Sequence, residues 1–156
     1  MMSAALDNEE PFYAELLERR RQQRNSRVTL PLRSDEDVVA VRKQVRERAV
    51  AIALSLVEQT KLVTAASELA RNTIKYGGGG EVVLDDLDDG LRRGIGLIFI
   101  DHGPGIADIE QALRDGFTTG GGLGLGLGGS RRLVEEFDIA SRTGQGTAVA
   151  VVKWKR

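Results

Sequence analysis

"TTGGGLGLGLGG", Thr118–Gly129, can be a phosphate-cradling loop, a flexible linker or a low-complexity run. From Gly120 to Gly129 seven of ten residues are glycine and the other three are leucine. Taken literally, Gly124, Gly126 and Gly129 satisfy G-x-G-x-x-G, but that dinucleotide fingerprint works only directly after a buried strand. The residues upstream, "ALRDGFTTGG" (112–121), do not read as a strand, so the Rossmann reading fails. A phosphate-binding P-loop needs G-K-[ST], and Gly129-Ser130-Arg131 lacks the lysine. A passive tether would leave Leu123, Leu125 and Leu127 idle. What remains is a mobile lid whose backbone N–H groups meet phosphates as the chain enters a helix at about Ser130. The helix dipole and unpaired amides favour anions there, and Arg131 and Arg132 add positive charge.

All 19 glycines lie from Gly77 onward. The first half is therefore built for uninterrupted elements, and the second half concentrates the special backbone positions. A length of 156 residues suits one compact domain with a sizeable core. Lys and Arg total 22 against 23 acids, which gives no case for non-specific nucleic-acid binding. Cysteine is absent, so disulfides and thiolate metal sites are excluded. Neither a signal peptide nor an apolar run of membrane-spanning length is visible, and the expectation is a cytoplasmic protein.

Residues 1–26 read as an N-terminal arm, either a solvated and partly disordered segment or a partner-docking helix. The arm would carry Phe12 and Leu16 on one side and arginines behind. The domain proper is placed at 27–156. "RVTLPL" (27–32) alternates as a first strand, at an edge because of Pro31. Ser34 caps a long helix whose apolar stripe runs through Val38, Val41, Val45, Ala49, Ile52 and Leu56. A second helix is predicted from about Lys61 to Tyr76, then strands at 81–87 and 94–101. A short helix near 108–115 precedes the glycine loop, and "SRRLVEEF" (130–137) starts another. "DIASRT" and "TAVAVVKW" close a hairpin about Gly144–Gly146. The fold class is α/β, a two-layer sandwich of a mixed, mostly antiparallel sheet with helices on one face.

On the second helix, Glu68 and Asn72 are four apart and share the side opposite the apolar stripe. They are plain surface residues unless a nucleotide site lies over them. In that case Asn72 offers a neutral oxygen to a hard cation such as Mg2+, and Glu68 can accept a proton from an attacking hydroxyl. The apolar strand stops in "DHGPGI" (101–106). Asp101 either caps the turn or accepts a hydrogen bond from the exocyclic amine of adenine, with Gly103 and Gly105 leaving room for the ring. His102, the single histidine, reads as a turn residue rather than a ligand or phosphoacceptor.

"ELARN" on a helix, "DHGPG" after a buried strand, "GGLGLGL" leading into a helix and a "GQGT" hairpin stand in this order. Together they resemble the N, G1, G2 and G3 boxes of the GHKL ATP-binding superfamily. Within it, "SELARN", "DHGPGI", "DGFTTGGGLGLGL" and the closing "VKW" look most like the RsbT-type switch serine/threonine kinases of bacterial partner-switching stress modules. The RsbW and SpoIIAB type of anti-sigma kinase shares the boxes. The resemblance covers roughly Arg27–Arg156. It implies ATP and Mg2+ as cofactors, Glu68 as general base and Asn72 as the Mg2+ ligand. It implies that Asp101 and Thr147 read adenine in a pocket shaped by Gly103, Gly105 and Ile106. It also implies that Thr118, Thr119, Gly122, Gly124, Leu125 and Gly126 meet ATP in the closed lid. The implied activity is phosphorylation of STAS-domain antagonist or scaffold proteins, which frees the kinase for a downstream target such as a PP2C-type phosphatase or a sigma-regulatory protein. The alternative is a nucleotide-dependent anti-sigma or sequestering switch. The run Gly77–Gly80 is expected to loosen the segment after the N box, and the arginine-rich arm has no counterpart in the family core.

Overall fold

The computed structural model of the chain describes residues 10–114 and 126–156. The order is α1 (Ala14–Glu18), β1 (Arg24–Leu32), α2 (Asp35–Ala51), α3 (Leu56–Lys75), β2 (Gly80–Asp88), β3 (Arg93–Asp101), α4 (Ile109–Ala112), α5 (Gly126–Arg131), β4 (Glu136–Arg142) and β5 (Gly146–Trp154). The five strands form one sheet in the order β1-β2-β3-β5-β4, and all four neighbouring pairs are antiparallel.

Period-2 alternation divides the sheet residues between two faces. Val82, Leu84, Ile95, Leu97, Phe99, Val149 and Val151 meet Val38, Val41, Val45 and Ala49 of α2 and Leu62, Val63, Ala66, Leu69 and Ala70 of α3 in the main core. The Ser34 side chain caps α2 and that of Ser55 caps α3, accepting from Asp37 N and Glu58 N respectively. Lys153 of β5 pairs with Glu58 in the first turn of α3 and with Glu135, anchoring the helix start to the sheet.

The predicted long stripe ending at Leu56 is cut short. The helix ends at Ala51, and Leu56 is exposed at the start of α3. The break is Ala53, whose φ of 60° lies in the left-handed region. Ala53 N donates to Val50 O and Leu54 N to Ala49 O, so two helix-terminal carbonyls are satisfied without a glycine. A left-handed alanine costs about 1 kcal/mol that glycine avoids. Ala53→Gly is therefore expected to raise stability by ~1 kcal/mol, visible as a higher denaturant midpoint at unchanged slope.

A second difference lies after the glycine loop. The helix there is Gly126–Arg131, and Glu136 and Phe137, expected on a helix, already belong to β4. Phe137 pairs with Val151 and packs against the main core, so tertiary pairing overrides the helical pattern of "SRRLVEEF".

The sheet's other face is covered by the segment before β1. Leu16 is buried against Val83, Ile98, Ile100, Ala148 and Ala150, with Phe12, Tyr13 and Leu17 packed alongside. Arg20 follows and is 5% exposed. One of its guanidinium nitrogens donates to Leu97 O at 3.1 Å and Val151 O at 2.7 Å. The other lies 3.7 Å from Asp85, which is fully buried and held by two bonds from Arg27 at 2.7 and 2.9 Å. Gly96 makes room for this group, since a Cβ there would stand 2.8 Å from the guanidinium. Burial pushes the Arg20 pKa down to about 10, with Asp85 opposing the shift, so the group is charged at neutral pH. Against the expectation of a solvated arm or a partner-docking helix with its arginines behind, Arg20 supplies a buried cation.

Candidate nucleotide site

The C-terminal half of α3, the turn after β3, α4, the start of α5 and the inner face of β5 enclose a cavity of about 780 Å³. That volume lies within the roughly 300–1,000 Å³ range of small-molecule sites. Leu69, Phe99, Ile106, Leu127 and Val149 give it apolar walls, and Glu68, Asn72, Asp101 and Thr147 give it convergent polar groups.

The helical spacing of α3 buries Leu69 and Thr73 and leaves Glu68 and Asn72 half-buried, lining the cavity. Arg71 donates to a Glu68 carboxylate oxygen at 3.3 Å, and Arg71 and Lys75 also line the space. The α3 side of the cavity therefore combines a carboxylate, a carboxamide and two cations, a suitable setting for a polyphosphate.

Asp101 also lines the cavity and is only 9% exposed. Its Oδ1 accepts from Gly103 N at 2.9 Å and from Thr147 N at 3.1 Å. Neither bond falls on Oδ2. A Cβ on Gly77 would stand 2.3 Å from the Asp101 carboxyl carbon, so no other residue at 77 leaves this carboxylate in place. Within the four-glycine run Gly77 and Gly80 are close-packed while Gly78 stands open, and Gly79 N is tied to Thr73 O at 3.0 Å.

Of the residues named from the sequence, Glu68, Asn72, Asp101, Gly105, Ile106, Gly126 and Thr147 all border this cavity. Gly103 does not; it packs on the backbone of Gly77 and shapes the turn from behind. Thr118, Thr119, Gly122, Gly124 and Leu125, with the mobility expected of that loop, lie outside the described residues. His102 stacks edge-on to Tyr13, with ring centroids 6.2 Å apart, on the side of the arm.

Two contributors were missed from the sequence. One is Gly77. The other is Ser141, whose hydroxyl accepts from Ile106 N at 2.8 Å, donates to Gly146 O at 3.0 Å and lies 2.9 Å from the Thr147 hydroxyl. It joins the turn after β3 to the closing hairpin, and its pairing opposite Thr147 follows from counting back across the Gly144–Gly146 turn.

Comparison with known proteins agrees with this geometry. Residues 57–156 match the family of histidine kinase-, DNA gyrase B- and HSP90-like ATPases. The chain is 39% identical over 132 residues to the serine/threonine-protein kinase RsbT of Bacillus subtilis, covering 85% of this chain and 99% of that protein. It is 31% identical over 106 residues to the anti-sigma F factor of Anoxybacillus flavithermus, covering 64% of this chain and 71% of the other. A crystal structure of the RsbU and RsbW domains of a Mycobacterium tuberculosis protein superposes with a TM-score of 0.56 at 19% identity, over 85% of this chain and 34% of the other, a likeness of fold. An ATP-binding fold, the cavity at its centre and this level of identity converge: the chain belongs to the histidine kinase-, DNA gyrase B- and HSP90-like ATPase family, in its RsbT-like serine/threonine-kinase branch.

Proposed function

We propose that this chain transfers the γ-phosphoryl group of ATP to a serine or threonine of a STAS-domain antagonist or scaffold protein, in a bacterial partner-switching stress module of the cytoplasm. The observation that carries the reading is one cavity lined both by Glu68 and Asn72 and by the Asp101–Thr147 pair. Adenine is held at Asp101, whose Oδ2 accepts from the exocyclic amine, and the triphosphate runs toward α3 and the glycine loop. The donor set suits Mg2+: the Asn72 oxygen, with phosphate oxygens and water, would hold it, and no cluster of three or more His, Asp or Glu competes among the described residues. When bound, the ion neutralises charge on the phosphates.

The acceptor hydroxyl oxygen attacks the γ-phosphorus, and the bond from that phosphorus to the β–γ bridging oxygen breaks. The hydroxyl proton passes to the Glu68 carboxylate and ADP leaves. Little covalent chemistry falls to the protein, so positioning and charge neutralisation carry the rate. The phosphate introduced on the partner brings negative charge into the contact and weakens the complex. The kinase is then free to engage a PP2C-type phosphatase or a sigma-regulatory protein.

The test is transfer of label from γ-labelled ATP to STAS-domain proteins encoded beside this chain, with the modified residue mapped. The similarity to an anti-sigma F factor supports a second reading, a sequestering switch in which transfer is incidental. Tight nucleotide-dependent binding of a sigma-type partner, with no STAS protein labelled, would favour it.

Asp101→Asn tests the nucleotide end. The amide oxygen can keep the bonds from Gly103 N and Thr147 N, while its NH2 now faces the amine of adenine, donor to donor. ATP affinity is expected to fall about 10–100-fold by titration calorimetry, in line with loss of a charge-assisted hydrogen bond. The folded state should keep its unfolding midpoint.

A further inference from the structure

A second depression, of about 290 Å³, lies between α2 and α3 and shares Glu68 and Arg71 with the nucleotide cavity. Arg42 and Arg46 of α2 form one wall, and Thr60, Thr64 and Ser67 of α3 form much of the other. Arg42 and Arg46 are exposed, and neither has a side-chain hydrogen bond or ion pair among the described residues. The adjoining cations behave differently: Arg48 pairs with Asp86, Arg71 with Glu68 and Lys61 with Glu58. Among the described residues the only carboxylate lining the groove is Glu68, at its junction with the cavity.

Helical spacing extends both walls. Val39, Arg42, Arg46 and Val50 fall on one stripe of α2, and Val57, Thr60, Thr64 and Arg71 on one stripe of α3. Val39, Val50 and Val57 are all more than half exposed, at 61%, 57% and 63%. A shallow basic trough with apolar ends thus leads to the carboxylate that takes the acceptor's proton. Since the whole chain carries a net charge of −1, the basic character is local to this trough rather than a general polyanion surface.

We propose that the α2–α3 groove is the docking surface for the phosphoacceptor protein and that it selects an acidic segment flanking the acceptor hydroxyl. Carboxylates of that segment pair with Arg42 and Arg46, and the hydroxyl is delivered across Ser67 toward Glu68. This deepens the kinase reading and rests on it for the identity of the occupant.

The test separates docking from transfer. Fluorescein-labelled octapeptides carrying a central serine flanked by Asp and Glu, by Asn and Gln, or by Lys are titrated with the full-length chain at low and at high salt. The acidic peptide is expected to bind, with binding lost at high salt, and Arg42→Ala/Arg46→Ala should weaken it about tenfold. Lys43→Ala, an exposed cation on the same helix that does not line the groove, should leave it unchanged. ATP affinity should be equal in all three proteins. Equal binding of the neutral peptide, an equal loss in Lys43→Ala, or stronger binding of an eight-base-pair DNA duplex would each overturn the proposal. If peptides bind as expected but no protein is ever labelled, the kinase reading fails and the acidic-segment groove stands. If labelling of a STAS protein occurs at the same KM in the double variant, the groove assignment fails and the kinase reading stands.

Discussion

Glu68→Gln is expected to slow phosphoryl transfer to a protein acceptor by about 10²–10⁴-fold, while ATP affinity changes less than about twofold. Glutamine preserves the volume of the side chain and its capacity to accept from Arg71, which donates at 3.3 Å, so α3 and the cavity wall keep their form. What is removed is the ability to take up the proton of the attacking hydroxyl. The nucleotide is held elsewhere, by Asp101, Thr147 and the phosphate-facing groups, so binding and chemistry should separate cleanly. Single-turnover labelling with saturating ATP measures the first quantity, and calorimetry with a non-hydrolysable analogue measures the second. Transfer at the wild-type rate would show that the carboxylate is not the proton acceptor. A parallel fall in ATP affinity would place Glu68 in nucleotide binding instead.

The second large effect concerns stability. Asp85→Ala is expected to cost about 3–5 kcal/mol, because it strips the counter-charge from a guanidinium that cannot reach water. Arg20 is 5% exposed and Asp85 fully buried. A typical domain is stable by only about 5–15 kcal/mol, so the variant should be partly unfolded or strongly shifted in urea midpoint. The converse is also expected. Replacing Arg20 by Met together with Asp85 by Leu removes both buried charges while keeping volume, and should recover most of the loss, because the desolvation cost disappears with the attraction. A double variant as unstable as Asp85→Ala would locate the stabilisation in the bonds from Arg20 to Leu97 O and Val151 O or in those from Arg27 to Asp85, rather than in the Arg20–Asp85 ion pair.

Much of the fold was readable because it obeys simple periods. The α2 stripe Val38, Val41, Val45, Ala49 is buried in one core with Ile95, Leu97 and Phe99 of the apolar run of β3, while Ile98 and Ile100 of that run are buried on the sheet's other face. The departures have physical causes that a local pattern does not carry. Ala53 ends a helix in a conformation that glycine normally supplies, so the stripe through Ile52 gave no stop signal. Glu136 and Phe137 continue a helical pattern but are claimed by β5 through pairing. Arg20 stands in "LERRRQQR", where neighbours of the same charge suggest solvent, yet a distant Gly96 makes its pocket. The residues expected to surround a nucleotide were legible through their motif order, and most of them border one cavity. Gly77 and Ser141 were not legible, because their roles are steric and relational: one leaves space for Asp101, and the other ties a turn to a hairpin.

The Arg20 contact has a consequence for how this chain finds its native pairing. Its two acceptor carbonyls belong to Leu97 and Val151, which sit opposite each other in adjacent strands, 77 and 131 residues along the chain from Arg20. A slip of one residue between β3 and β5 would turn every side chain of one strand to the wrong face and separate these carbonyls. Arg20 would then be left with a buried charge and no lone pairs to receive it. The guanidinium thus acts as a gauge of register for β3 and β5, neighbours in the sheet that do not follow one another in the chain. Only the correctly aligned sheet can be closed by the segment that precedes it.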